Sequence, residues 1–367
     1  MRITTKRLFA FGFVAGLVAA ASAWAQSTHS TMRYQPTRAA TASASIKIDG
    51  LDYVPVSDLQ RRASLKGVWL KKNEQLLLKN DAWQIELTVD SRESQINGLR
   101  LLLGAPCRME HRAMYLSRVD ADRVIGAVIC PGYQQSVVPV LRVIAIDPGH
   151  GGVDNGTSNK KLGLLEKTLA LDVAGRLGKL LRTDGYQVVF TRETDTKVEL
   201  PIRAATANIS GADLFVSIHF NSLSPDSKTS GMELFTFAPA TIRATDNWGA
   251  KVVEVENESS PGNRFDHWNS VLAFAMQREV LTNLKIFDRG KKFAHWGVLR
   301  PLNCPGILIE PGFLSNEAEA KKIATPEYRQ EIAEAIAKGI RDYAAALEAL
   351  RKSRTVAATP SATQRPN

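Results

Sequence analysis

Hydrophobic and polar positions fall into two regimes along the chain. Residues 46–50, 53–56, 67–70, 76–78, 83–89 and 99–103 are short runs with strand-like alternation, separated by turn signals at Asp49-Gly50 and Asn97-Gly98. That spacing predicts a small β-rich domain with one or two helices over residues 45–130. From Leu141 onward, strand-like and helix-like segments alternate. Strands are predicted at 143–147, 186–191, 214–219, 231–237 and 306–310. Helices are predicted at 164–182, where Leu165, Leu169, Val173, Leu177 and Leu180 recur at helical spacing, and near 200–208 and 267–284. Ser315-Asn316 caps another helix, and a long one over 326–350 carries Ile332, Ala335, Ile336, Ile340 and Tyr343 on one face. Such alternation predicts an α/β domain over 141–350, a mostly parallel sheet flanked by helices on both faces.

Both ends differ from this pattern. Arg2, Lys6 and Arg7 precede an apolar run over 8–21, and Ala23-Trp24-Ala25 fits the small-x-small cleavage rule, so residues 1–25 read as a secretory signal peptide. An uncleaved membrane anchor is the weaker alternative, because the run is short of a span. Gln26, not a cysteine, stands directly after the cleavage site, which argues against a lipoprotein. Residues 26–44, rich in Ser, Thr and Ala, read as a flexible leader, residues 131–137 as a connector, and residues 351–367 as a disordered basic tail. The expected mature protein is exported, to the periplasm or cell envelope, with no transmembrane segment.

Composition adds little. A 44% hydrophobic and 23% charged chain is ordinary for a globular protein. The net charge of +10, or +7 without the three cations of the leader, suits anionic polymers such as cell wall, but it is spread without a dense Lys/Arg block, and no nucleic-acid partner is expected. Three cysteines exclude a disulfide scaffold; Cys107 and Cys130 share one segment and either pair or remain two free thiols.

Chemistry gathers where strands end. Asp147-Pro148-Gly149-His150-Gly151-Gly152 stops one apolar run, Ser217-Ile218-His219-Phe220-Asn221 another, and Ile309-Glu310-Pro311-Gly312 a third, while Glu166-Lys167 stands at a helix start. Two histidines and one carboxylate form a known ligand set for catalytic zinc, with a fourth position left for water. A second carboxylate beside the metal would serve as general base. His150, Glu166, His219 and Glu310 supply that set, at gaps too long for a local metal motif, so the fold must assemble it. Each histidine taken singly also suits a structural role, and Glu166 suits a helix dipole. Glu310 resists such a reading, because an unpaired acid after Ile-Leu-Ile is costly at the end of a buried strand.

The ordered series Asp147 to Gly152, Glu166-Lys167, Thr191-Arg192, Arg203 with Ala207-Asn208, Ser217 to Asn221, Asp288-Arg289-Gly290-Lys291 and Ile309 to Asn316 resembles the zinc-dependent N-acetylmuramoyl-L-alanine amidases of the type 3 family, over about residues 142–346. The resemblance implies His150, Glu166 and His219 as Zn2+ ligands and Glu310 as the catalytic glutamate. It implies a zinc-exopeptidase-like fold and cleavage of the amide between N-acetylmuramic acid and L-alanine in peptidoglycan. Residues 45–130 more faintly resemble the copper amine oxidase N-terminal-like domain, which implies a spacer or wall-binding role and no copper. Phe220 replaces the small residue usual after the second histidine. The segment 238–266 matches no pattern; Glu254, Glu256 and Glu258 there read either as an occluding carboxylate or as solvated surface. Asn221, Arg203 and Arg289 either line the substrate groove, where Arg would pair stem-peptide carboxylates, or hold loops. A zinc peptidase cutting the stem peptide and a non-catalytic wall-binding protein are the alternatives, and the sequence leaves open whether a protein activator is required.

Overall fold

Residues 45–223, 227–245 and 258–358 are described by a computed structural model of the chain. The expected signal peptide and leader therefore lie outside the described residues, as do Glu254 and Glu256.

Alternating segments of the N-terminal region form β1 (Ile46–Ile48), β2 (Leu51–Pro55), helix α1 (Val56–Ala63), β3 (Lys66–Lys71), β4 (Gln75–Lys79), β5 (Gln84–Thr88), β6 (Glu93–Ile96), β7 (Leu99–Leu102), β8 (Arg108–Glu110) and β9 (Ala113–Ser117). Asp49-Gly50 and Asn97-Gly98 turn two of the hairpins with positive φ at both positions, as a tight two-residue turn requires. A π-helical turn at Asp120–Val124 then leads into α2 (Ile125–Ile129).

The second region supplies β10 (Val143–Pro148), the short pair β11 (Ser158–Asn159) and β12 (Leu164–Leu165), α3 (Glu166–Thr183), β13 (Gln187–Phe190), α4 (Leu200–Ile209), β14 (Leu214–Ile218), β15 (Met232–Phe237), α5 (Asp266–Leu284), β16 (Asp288–Ala294), β17 (Gly306–Glu310), α6 (Glu317–Ile323) and α7 (Pro326–Ala358). Asn316 caps α6, its side chain accepting from the amides of Ala318 and Glu319.

An 11-stranded sheet runs in the order β13-β10-β14-β17-β15-β16-β7-β6-β5-β4-β3, and β1, β2, β9 and β8 form a separate sheet of four. Strands buried on both faces carry apolar side chains both ways. Ile144, Ile146, Val216 and Ile309 pack under α3, α5 and α7, while Ala145, Phe215, Phe235 and Leu308 face α4 and the 298–304 loop.

Three features differ from the sequence expectation. The sheet is parallel from β13 to β17, but β15 runs antiparallel to β17. The connection leaving β14 has no crossover helix among its described residues, so the chain turns back from the same rim. The second difference is that β3 to β7 do not close a sheet of their own: this antiparallel meander continues the central sheet through a parallel contact of β7 with β16. Phe274, Phe293 and Ile242 share a core with Leu78, Ile85 and Leu101 across that junction. Helix α7 also extends to Ala358, because Arg351 and Arg354 bond connector carbonyls at Pro139, Gly132 and Gln135 instead of entering a tail. All three cysteines are free, with Cys107 and Cys304 buried.

Candidate metal centre

The loop after β10 is pinned from beneath. Asp147, fully buried, accepts from Arg203 at 2.7 Å, Ser217 Oγ at 2.7 Å and Thr191 Oγ1. Arg203 also donates to the carbonyls of Pro148 and His150, and Arg192 to those of Pro148 and Gly149. Of the two functions open to Arg203 in the sequence, the geometry selects loop support. Bound this way, His150 holds a φ of +58°, a conformation rare outside glycine. At Gly149 a Cβ would lie 2.2 Å from the His219 ring, so only glycine lets the two loops approach.

Strand register brings the remaining groups to this rim. Pro148 stands opposite Ile218 and Ile218 opposite Ile309, which places His150 and His219 just past the ends of two strands and Glu310 at the end of the third, adjacent one. Glu166 opens α3 from below. His150 Nε2 lies 3.1 Å and His219 Nδ1 2.8 Å from Glu166 Oε1, and one ligand atom from each residue falls within 4.8 Å of the others. The two imidazoles meet edge to face at 4.9 Å. Glu166 is further held by the Phe220 amide at 3.0 Å and the Thr157 amide at 2.8 Å. Burial alone would raise the Glu166 pKa, but the bonds with His150 and His219 outweigh it and hold the carboxyl well below the usual range. A cluster of two imidazoles and one ionised carboxylate, facing one point, has the donor types and spacing that zinc takes.

Glu310 completes the rim. It is buried, and its Oε2 has no hydrogen-bond partner among the described residues. Burial, then the charges of Glu166 and Glu233, push its pKa well above the ordinary value, with Lys292 opposing them.

Two contributing residues escaped the sequence reading. Asp154 Oδ2 lies 2.9 Å from His150 Nδ1, the nitrogen turned away from the cluster. Glu233 faces Glu310 across the β15–β17 pair and accepts from Arg289 Nε at 2.8 Å, Lys292 Nζ at 2.5 Å and Asn221 Nδ2 at 2.9 Å. An acid inside the apolar run Met232-Glu233-Leu234-Phe235 was the available signal, the same one that exposed Glu310. His267 and His295 stand apart, bonded to the carbonyls of Pro131 and Ile242. Of the unmatched segment, Glu258 is described and is exposed.

A family model for N-acetylmuramoyl-L-alanine amidases matches residues 144–342, more than half of the chain and a span that holds all four rim residues. The chain belongs to this family. Within it, the germination-specific N-acetylmuramoyl-L-alanine amidase of Bacillus subtilis is 34% identical over 218 residues, 55% of this chain and 79% of that protein. An uncharacterized cell wall amidase of Bacillus anthracis is 33% identical over 212 residues, again 55% of this chain, which spans only 35% of that relative's length. Among solved structures, the N-acetylmuramoyl-L-alanine amidase of Clostridium difficile 630 has 34% identity and a TM-score of 0.46, covering 55% of this chain and 96% of that one. No helix among the described residues is long and apolar enough to cross a membrane.

Proposed function

We propose that the chain is a zinc-dependent hydrolase of the amide between N-acetylmuramic acid and L-alanine in peptidoglycan, with His150, Glu166 and His219 as metal ligands and Glu310 as the catalytic glutamate. The observation that carries this reading is the unpartnered Glu310 Oε2, buried at the same strand-end rim as a two-histidine, one-carboxylate cluster. Zinc bound there would acidify a water molecule and polarise the scissile carbonyl. Glu310 takes a proton from the attacking water and passes it to the departing L-alanine nitrogen. Burial and the neighbouring acids raise its pKa, and Lys292 opposes that shift. Asp154 fixes the tautomer of His150, so that Nε2 presents its lone pair to the cluster. Membership of the amidase family supports this choice of bond over the stem-peptide bonds that a zinc peptidase would cut. In this role the chain works at the cell wall, with residues 1–25 as its export signal.

Incubation of the zinc-loaded protein with isolated peptidoglycan tests this directly. New L-alanine amino termini are expected, abolished by a chelator. New termini of another residue would instead indicate a peptidase. A second outcome concerns Asp154→Ala, which should weaken zinc binding by about 10- to 100-fold in a competitive chelator titration, the usual effect of removing a carboxylate behind a ligating histidine. Unchanged affinity would remove Asp154 from the site.

A further inference from the structure

Arg289 lies on β16 and its guanidinium is held through one hydrogen bond. Its Nε donates to Glu233 Oε1 at 2.8 Å, and its Cζ stands 5.4 Å from the centroid of the Phe313 ring. Both supports belong to the reacting rim. Glu233 faces Glu310 in the β15–β17 register, and Phe313 bridges to Asn221 in the loop that follows His219. Exposure rises outward through this group, from 7% for the side chain of Glu233 and 12% for Lys292 to 29% for Arg289. Among the described residues the two Nη atoms of Arg289 have no hydrogen-bond partner. The carboxylate of Glu233 is shared by two cations, Arg289 and Lys292, and Glu319 and Glu310 also lie within electrostatic reach of them. A guanidinium anchored through Nε keeps its Nη pair as a planar fork, the geometry that accepts a carboxylate on two bonds.

We propose that Arg289 anchors a carboxylate of the stem peptide and so sets substrate specificity, an inference that rests on the amidase reading. The glycan side of the scissile bond offers no such anion near the amide, whereas the stem peptide leaves the bond carrying carboxylates. Glu233 and Phe313 act as its positioning residues.

The test compares two soluble N-acetylmuramoyl-peptides that differ only in having free carboxylates or primary amides in the stem. With the full zinc-loaded chain, kcat/KM should favour the free carboxylates by about 10- to 100-fold, carried by KM, as expected for charge-assisted hydrogen bonds. Arg289→Gln leaves a donor for Glu233 but removes the fork, and should shrink that preference to about threefold or less with the loss in KM rather than kcat. Arg289→Lys, which keeps a charge without the fork, should fall between them. The assignment is overturned if the wild-type chain shows no preference or if Arg289→Gln retains it. Cleavage of both peptides at equal rates removes only the role of Arg289, while cleavage of neither removes the amidase reading and this inference with it.

Discussion

Replacing Glu310 by glutamine should lower kcat on a muramoyl-peptide by about two to four orders of magnitude while zinc stays bound, the usual cost of losing a general base. The substitution is close in shape and removes only the ability to accept and release a proton. Glu310 Oε2 makes no hydrogen bond among the described residues, so no structural bond is broken there, and exchanging a buried acid for a neutral amide relieves a desolvation penalty. Thermal stability should therefore be equal to or above that of the wild-type chain. Turnover, bound zinc and melting temperature are read on the same preparation. A fully active Glu310→Gln variant would show that another group moves the proton.

His150→Ala should abolish both zinc binding and turnover, an effect at least as large. It removes one of three ligands, and two remaining ligands leave too few bonds for a stable tetrahedral site. The loop itself should survive, because its carbonyls are held by Arg192 and Arg203 and its base by Asp147, not by the imidazole. A chelator should have the same effect on the unmutated chain, reversed by added zinc. Since the metal binds only the folded state, zinc at 100 times its Kd should contribute about 2.7 kcal/mol of stability, lost on chelation. Zinc content after gel filtration and a melting curve with and without chelator measure this. Stoichiometric zinc in His150→Ala would mean that the cluster is not the metal site.

The four rim residues were legible because each interrupts or ends a strong pattern. Ile144 to Ile146, Phe215 to Ile218 and Ile307 to Ile309 are apolar runs, and a His or Glu that stops one stands at a sheet rim whatever the neighbours are. Pairing between strands was less legible. The reversal of β15 goes with a connection that has no crossover helix among its described residues and whose sequence carries no clear sign of this. Strand β16 was missed because Asp288-Arg289-Gly290-Lys291-Lys292 is charged at every position but the glycine, and its alternation appears only once Lys291 is buried on one face and Lys292 reaches Glu233 on the other. Asp154 was hidden for a different reason: its partner is His150, one turn of loop away, and no periodicity marks such a contact. In the N-terminal region β1 to β5 and β7 were readable from alternation while β6, β8 and β9 were not, and the partner of β7 lies about 190 positions later, beyond any local pattern.

That distant partner bears on how well the cleft is prepared for its substrate. A strand at a sheet edge frays, and side chains on it must be immobilised when a ligand arrives. Strand β16 is not an edge: β15 lies on one side and β7 on the other, and Asp288 ties the junction by accepting from the amides of Arg100 and Gly290 and from Gln277. On the proposed role of Arg289, the N-terminal strands, remote from the reacting atoms, would thereby lower the entropy lost when its guanidinium engages a carboxylate, contributing to affinity through rigidity without touching the substrate.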